Sequence, residues 1–209
     1  HMSRFIEVLS EYSRKNLLGV DIKGLLYTVK ERLESQSAHV KFEFKYFINK
    51  KAPVSEMQFP VGYDCSFQGD LTGDDYKFIL GVKVPVTTLC PCSKEISKYS
   101  AHNQRTMVKV KVSYDENDII WIEDLVEKIE SCGSSQVYSI LKRCDEKFVT
   151  ETAYENPKFV EDVLRDVICI LKKDDKVRSY EVEVEAQESI HNHNAWAWQS
   201  EVKQNGDIK

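Results

Sequence analysis

Strict alternation of charged and apolar residues in two separate segments is the strongest constraint on the fold of this 209-residue chain. In 108–112, Lys109 and Lys111 lie between valines, and in 180–186 glutamates occupy every second position. Successive side chains of a strand point to opposite faces, so each segment is predicted to be a strand with one wet face. Such a sheet is usually antiparallel, and the two strands are predicted to pair with opposite charges across the outer face.

The spacing of apolar residues predicts the remaining elements. The additional strands are 40–46, 78–86 and 195–198. The helices are 5–9, 22–33 after an Asp21 N-cap, 122–129, 137–141, and a last helix that starts at Asn156-Pro157 and reaches Leu171. Residues 48–75 are polar and rich in turn-forming residues, and they are predicted to form a long loop, a feature that is often functional.

Helices followed by strands occur twice along the chain, which indicates an α+β fold with an internal duplication. The first half has no counterpart of the strand at 108–112. We therefore expect the chain to begin part-way into a longer natural sequence.

Composition narrows the classes of function. The net charge is −5, and a protein that binds duplex nucleic acid usually has a basic footprint. No stretch approaches the ~20 apolar residues of a membrane span, and no signal peptide is visible, so we expect a cytoplasmic protein without nucleic-acid or membrane partners. The six cysteines are expected to be free thiols or metal ligands, because disulfides belong to exported proteins.

One connection between two predicted strands carries Cys90, Cys92 and His102. Thiolate and imidazole are ligands that suit Zn²⁺, Fe²⁺ and related ions, so this spacing favours a metal site. A redox pair of thiols and a pair of small buried residues are the alternative interpretations.

A second polar segment, 188–194, directly follows the glutamate-rich strand. His191 and His193 are two residues apart, so in extended chain both point to the same side. Paired imidazoles suit metal binding or general acid–base catalysis, and an exposed polar turn is the alternative.

A third segment, 144–162, is dense in carboxylates, and its simplest interpretation is a solvated helix with a Glu161–Arg165 ion pair.

Four motifs in order resemble GTP cyclohydrolase type IB: LCPCSK at 89–94, AHNQR at 101–105, YENPKFVED at 154–162 and ESIHNHNA at 188–195. The opening segment, 1–9, also resembles a family segment, although family members carry some tens of residues before it. The resemblance covers nearly the whole chain.

The resemblance implies the tunnelling fold, with antiparallel sheets, helices packed on one face and a duplicated module. The modules would be 1–89, incomplete at its start, and 90–209. It further implies a homotetramer with active sites at subunit interfaces. The implied reaction converts GTP and water to 7,8-dihydroneopterin triphosphate and formate, for folate biosynthesis or for a modified-tRNA pathway.

The resemblance also implies roles for individual residues. A divalent ion, Zn²⁺, Mn²⁺ or Fe²⁺, would be held by Cys90, His102 and Glu146. The other implied roles are a thiol near the metal for Cys92, acid–base catalysis for His191 and His193, and recognition of guanine for Glu161. For the triphosphate, the residues themselves suggest Lys94, Arg105 and Lys98, with ordinary surface charge as the alternative for each.

Two other functions are compatible with these residues. One is a related enzyme that reduces a nitrile on a deazaguanine, which uses a cysteine nucleophile and NADPH and needs no metal. The other is a non-catalytic protein stabilised by a metal whose ligands are all supplied by protein.

Overall fold

The computed structural model describes residues 2–13 and 22–203, which form one sheet and six helices. The strands are β1 (Ser37–Lys51), β2 (Gln58–Thr72), β3 (Asp75–Leu89), β4 (Asn103–Tyr114), β5 (Ser135–Gln136), β6 (Val177–Ala186) and β7 (Ala195–Val202). The helices are α1 (Met2–Ser13), α2 (Ile22–Leu33), α3 (Pro91–Ile96), α4 (Ile122–Glu130), α5 (Arg143–Glu155) and α6 (Val160–Lys173).

All neighbouring strands pair in antiparallel fashion, in the order β1-β2-β3-β4-β6-β7. The two-residue strand β5 pairs with Val86 and Thr87, where β3 has run beyond its pairing with β2. Among the described strands, β1 and β7 form the two edges of the sheet. The predicted antiparallel α+β fold is therefore confirmed.

The helices cover one face of this sheet. Valines at alternate positions of three central strands, such as Val84, Val108 and Val182, are fully buried beneath α4 and α6. Helix α2 covers β1 and β2 with Ile22 and Leu26. Burial of each such side chain contributes about 1.5–3 kcal/mol, so this layer is the main source of stability.

The opposite face of the sheet carries the predicted charge ladder. Lys109 lies opposite Glu183 and Lys111 opposite Glu181 in the register of β4 and β6. The two ion pairs have N···O distances of 2.6 Å and 2.8 Å. The expected pairing of the lysine and glutamate strands is confirmed.

The prediction of a loop over 48–75 was wrong. Strand β1 continues to Lys51 and β2 starts at Gln58, so only a short turn remains between them. Pro60 is tolerated because β2 pairs there with β1 alone. A Cβ added at Gly69 would lie 2.5 Å from Ile22 Cγ2, so this glycine lets α2 pack directly on the strand.

Two helix predictions were also wrong. Residues 137–141 are not helical and form part of the connection from β5 to α5. Asn156 caps the end of α5 rather than the start of α6, and its side-chain amide donates to the carbonyl oxygen of Gly133 at 3.0 Å. The last helix begins at Val160, after the loop that contains Pro157. The Asp21 cap lies outside the described residues.

The described helices include none that is long and apolar enough to cross a membrane. The six cysteines all lie in the described part of the chain and are free thiols.

Candidate active site

The connection from β3 to β4 starts and ends at the same point of the sheet, because Leu89 pairs with Asn103 in neighbouring strands. The backbone N–H of Cys90 donates to the carbonyl oxygen of His102 at 3.1 Å. The two ends of this thirteen-residue connection, 90–102, therefore bring the backbones of Cys90 and His102 together. Both residues are half-buried, and Cys92 is exposed on α3.

Ser93 links the two ends of this connection by hydrogen bonds to both Cys90 and His102. Its backbone N–H donates to Cys90 Sγ at 3.4 Å, and its hydroxyl donates to the carbonyl oxygen of Cys90 at 3.1 Å. The same hydroxyl accepts from the backbone N–H of His102 at 3.2 Å. These three hydrogen bonds hold the backbone of His102 and the sulfur of Cys90 around one serine.

The ring of His102 is oriented by polar neighbours. Its Nδ1 lies 3.0 Å from Gln104 Oε1 and 3.3 Å from Ser189 Oγ. Gln104 Nε2 in turn donates to Thr88 Oγ1 at 3.2 Å and contacts Glu188 Oε1 at 3.5 Å. An Nδ1–H that donates to these oxygens leaves Nε2 as an acceptor, which is the usual arrangement of a metal-binding histidine.

Sequence reasoning did not single out Ser93, Gln104 or Ser189. All three lie inside the quoted motifs, two or three residues from Cys90, His102 and His191, and that proximity was the available signal. The Ser189 contact is important because it joins a segment 87 residues away to His102.

The predicted histidine pair lies on the loop that joins β6 to β7. The rings of His191 and His193 are stacked, with centroids 5.3 Å apart and an angle of 20° between their planes. Both side chains are exposed, and His193 Nδ1 lies 3.3 Å from Asn192 Oδ1. The loop therefore presents two adjacent imidazoles to solvent a few residues beyond Ser189, which anchors it beside His102.

The two predicted site glutamates lie in the first turns of helices and are exposed. The segment that leads into α6 passes beside the end of β3, because the N–H of Lys158 donates to the carbonyl oxygen of Leu89 at 3.0 Å. The pairing expected for Glu161 was wrong, since Arg165 instead contacts Asp162 at 3.1 Å.

Glu146 lies at the far end of α5 from the cysteine and histidine. Lys94 Nζ donates to the carbonyl oxygen of Tyr154 at 2.5 Å, which places the C-terminal end of α5 beside α3. Eight residues of helix separate Tyr154 from Glu146, or about 12 Å along the axis. In the described residues, no three His, Cys, Asp or Glu side chains form a group that could hold a metal ion.

By donor chemistry, the thiol of Cys90 and the imidazole of His102 fit an ion such as Zn²⁺ or Fe²⁺, and Ser93 and Gln104 contact these two donors. A catalytic zinc site uses three protein ligands and a water. A site of that kind would need one further protein donor beside this pair.

The predicted phosphate-binding cations have different surroundings. Lys94 is engaged with α5, since its Nζ also lies 4.3 Å from the centroid of the Tyr154 ring. Lys98 Nζ lies 5.4 Å from the ring centroid of Tyr99. Arg105 is exposed, and its carbonyl oxygen accepts from the N–H of Gln187 at 3.0 Å, so it adjoins the loop of the histidine pair.

Comparison with solved structures defines the class of fold. The chain is similar to uricase from Arthrobacter globiformis, with a TM-score of 0.54 and 8% identity over 97% of this chain and 76% of that chain. A hyper-thermostable AgUricase mutant gives a TM-score of 0.59 at 6% identity, over 97% of this chain and 75% of that chain. At such identities the likeness concerns the fold alone, and it confirms the expected tunnelling fold.

Comparison of sequences defines the family. Residues 1–197 match the family described as Type I GTP cyclohydrolase folE2, and the chain belongs to that family. It is 55% identical over 197 residues to GTP cyclohydrolase FolE2 of Geotalea uraniireducens, which covers 94% of this chain and 71% of that protein. It is 50% identical over 197 residues to GTP cyclohydrolase FolE2 of Thermosipho africanus, which covers 94% of this chain and 75% of that protein.

Proposed function

We propose that this chain is a cytoplasmic, metal-dependent GTP cyclohydrolase that converts GTP and water to 7,8-dihydroneopterin triphosphate and formate. The observation that carries the proposal is the convergence of Cys90, His102 and the Ser189-anchored loop of His191 and His193. Membership of the family supports the same reaction. The nitrile-reductase and scaffold alternatives have no comparable support.

Each residue has a proposed task in this reaction. Cys90 and His102 hold the divalent ion, with Glu146 as third ligand, and the thiol of Cys92 lies nearby. When bound, the ion lowers the pKa of a water molecule and so supplies hydroxide near neutral pH.

The remaining proposed tasks concern substrate and protons. Glu161 accepts hydrogen bonds from the N–H edge of guanine, a charge-assisted contact that discriminates between bases. His191 and His193 exchange protons with the purine ring nitrogen as the C–N bond breaks, because an imidazole has one nitrogen that can donate a proton and one that can accept it. Arg105 and Lys94 are the proposed contacts of the triphosphate.

We further propose a homotetramer with active sites at subunit interfaces, built from modules 1–89 and 90–209. The separation of Glu146 from the Cys90–His102 pair supports this assembly, since a neighbouring copy could supply the missing ligand. The edge strand β7 supports it as well, because Trp196, Trp198 and Val202 expose 60%, 48% and 75% of their surface. Edge strands with such apolar side chains favour pairing with another chain.

The test is a GTP assay with added Mn²⁺, Fe²⁺ or Zn²⁺ that follows neopterin fluorescence and formate together. Cys90→Ala is expected to lose bound metal and turnover together. His193→Ala is expected to keep the metal and lose rate, typically by 10²–10⁴-fold for a general acid or base. Cys169→Ala, an exposed thiol on α6, is the matched control and should behave like the wild type.

The proposal fails if the wild-type protein releases no formate from GTP under any of these metals. Stoichiometric metal and full activity in Cys90→Ala would remove Cys90 from the ligand set. NADPH-dependent reduction of a deazaguanine nitrile without metal would favour the nitrile-reductase alternative.

A further inference from the structure

The most completely satisfied carboxylate in the described residues is Asp145, in the first turn of α5. Its side chain is fully buried and accepts four hydrogen bonds. Oδ1 accepts from the backbone N–H groups of Val54 at 2.9 Å and Ser55 at 2.8 Å. Oδ2 accepts from the Ser55 hydroxyl at 2.7 Å and from the N–H of Lys142 at 2.9 Å. Three of the four donors come from a turn about 90 residues earlier.

That turn, 52–57, joins β1 to β2 and has a defined shape of its own. The N–H of Ala52 donates to the carbonyl oxygen of Met57 at 2.8 Å, and the N–H of Glu56 donates to the carbonyl oxygen of Ala52 at 3.2 Å. Glu56 has a φ of 55°, a left-handed conformation that non-glycine residues adopt only where the surroundings hold it. Asp145 thus binds a preshaped turn.

Helix α6 provides an internal reference for this contact. Asp162 occupies the same position in the first turn of α6 as Asp145 in α5, and it accepts from the N–H of Phe159 at 3.0 Å. Its second oxygen accepts from Arg165, one turn further along the same helix. Both aspartates cap their helix, but the bonds described for Asp162 remain within α6. The three hydrogen bonds that Asp145 accepts from Val54 and Ser55 are therefore not needed to cap α5, and they join α5 to the 52–57 turn.

We propose that Asp145 is a positioning residue for the metal site. By clamping the first turn of α5 to the 52–57 turn, it fixes the backbone of the adjacent Glu146, so that this carboxylate is presented to the Cys90–His102 pair of a neighbouring copy. The inference rests on the proposed function, because it assumes that Glu146 is the third ligand. Groups that orient a metal ligand typically change metal affinity by 10–100-fold when they are removed.

The experiment uses the full chain loaded with Co²⁺ alone, followed by visible absorption and by competition with a chelator. Ser55→Ala and Asp145→Asn are expected to weaken Co²⁺ binding at least tenfold. Both should shift the ligand-field bands as Glu146→Gln does, while keeping the thiolate-to-cobalt band of Cys90. Ser55→Thr retains the hydroxyl and should restore affinity, and Asp162→Asn, the matched cap of α6, should leave spectrum and affinity unchanged.

Wild-type Co²⁺ affinity and spectrum in folded Ser55→Ala and Asp145→Asn would overturn the inference, even if both variants melt at a lower temperature. A different failure would belong to the proposed function: a wild-type spectrum without a thiolate band, or one that Cys90→Ala leaves unchanged. Amide hydrogen exchange of the metal-free protein then decides the matter. A tenfold rise at 52–57 and 143–147 in Ser55→Ala supports the clamp, and unchanged exchange there overturns it.

Discussion

The buried carboxylate Glu130 and the outer-face carboxylates Glu181 and Glu183 all pair with lysines, but their surroundings differ. Glu130 is only 4% exposed, and both of its oxygens lie 2.7 Å from Nζ of Lys50, which is 11% exposed. The side chains of Glu181 and Glu183 are 41% and 29% exposed. The comparison teaches that similar N···O distances can represent very different free energies, because water screens the outer pairs and not the inner one.

The buried pair is also better connected than the outer pairs. The hydroxyl of Tyr63 donates to Glu130 Oε1 at 2.7 Å, and the ring of Tyr138 lies 4.6 Å from Lys50 Nζ. These contacts tie β1, β2 and the end of α4 together. Since each charge depends on the other for compensation, loss of one member should cost far more than loss of an outer-face partner.

The largest expected effect is that of Glu130→Ala, which leaves Lys50 buried without its counter-charge. We expect the free energy of unfolding to fall by about 3–5 kcal/mol, measured by urea denaturation. The double variant Lys50→Met/Glu130→Leu should recover most of this loss, because it removes both charges and fills the space. A loss below about 1 kcal/mol for Glu130→Ala would show that the buried and outer pairs are equivalent.

The next largest expected effect concerns the single hydrogen bond from the Tyr63 hydroxyl to Glu130. Burial and the hydrogen bond to Glu130 raise the pKa of Tyr63, so its hydroxyl remains a donor over the whole accessible pH range. Tyr63→Phe removes only that donor and should lower the free energy of unfolding by about 1.5–3 kcal/mol. Tyr154→Phe, on the exposed side of α5, is the control and should change little. Equal effects of both substitutions would contradict the assigned role of Tyr63.

Asp174 at the end of α6 is intermediate in exposure between the buried Glu130 and the outer-face glutamates, since its side chain is 21% exposed. Burial alone would raise its pKa, but the hydrogen bonds from Lys128 and from the N–H of Lys176 outweigh burial and lower it. A lowered pKa in the folded state contributes stability that is present above the unfolded value of about 4 and is lost as the pH falls below it.

We therefore expect Asp174 to make acid lower the free energy of unfolding by at most about 1 kcal/mol, because its partner Lys128 is half exposed. Thermal unfolding as a function of pH measures it, and Asp174→Asn should show a shallower decline below about pH 4 than the wild type. A steeper decline in Asp174→Asn would mean that the sign assigned to this carboxylate is wrong.

The smallest expected effect is that of Lys111→Ala on the outer face. The Lys111–Glu181 pair is 52% and 41% exposed, so its removal should change the free energy of unfolding by about 0–1 kcal/mol. The change should shrink further in 1 M salt, where the screening length falls to about 3 Å. If Lys111→Ala lowered the free energy of unfolding as much as Glu130→Ala does, the buried pair and the outer-face pairs would not differ in free energy.

Local pattern was sufficient for much of the fold and for part of the site. The ladder of β4 and β6 was predicted in the correct pairing, because alternation and charge are read directly from neighbouring residues. The meeting of Cys90 and His102 was also predicted, since both stand on one connection between two strands. Patterns failed where tertiary contacts outweighed them: Gly69 and Pro60 look like loop residues, yet both lie in β2.

The sequence by itself determined the class of fold, the outer charge ladder and the residues that carry the proposed chemistry, because periodicity, charge and motif are local properties. Only the tertiary structure decided which carboxylates are buried and bonded to residues far away in the sequence. Glu130 and Asp145 resemble the many solvated acids of the chain, but the fold buries them against Lys50 and Ser55, 80 and 90 residues away. Burial depends on the packing of distant segments, and the free energy of a charge depends on burial.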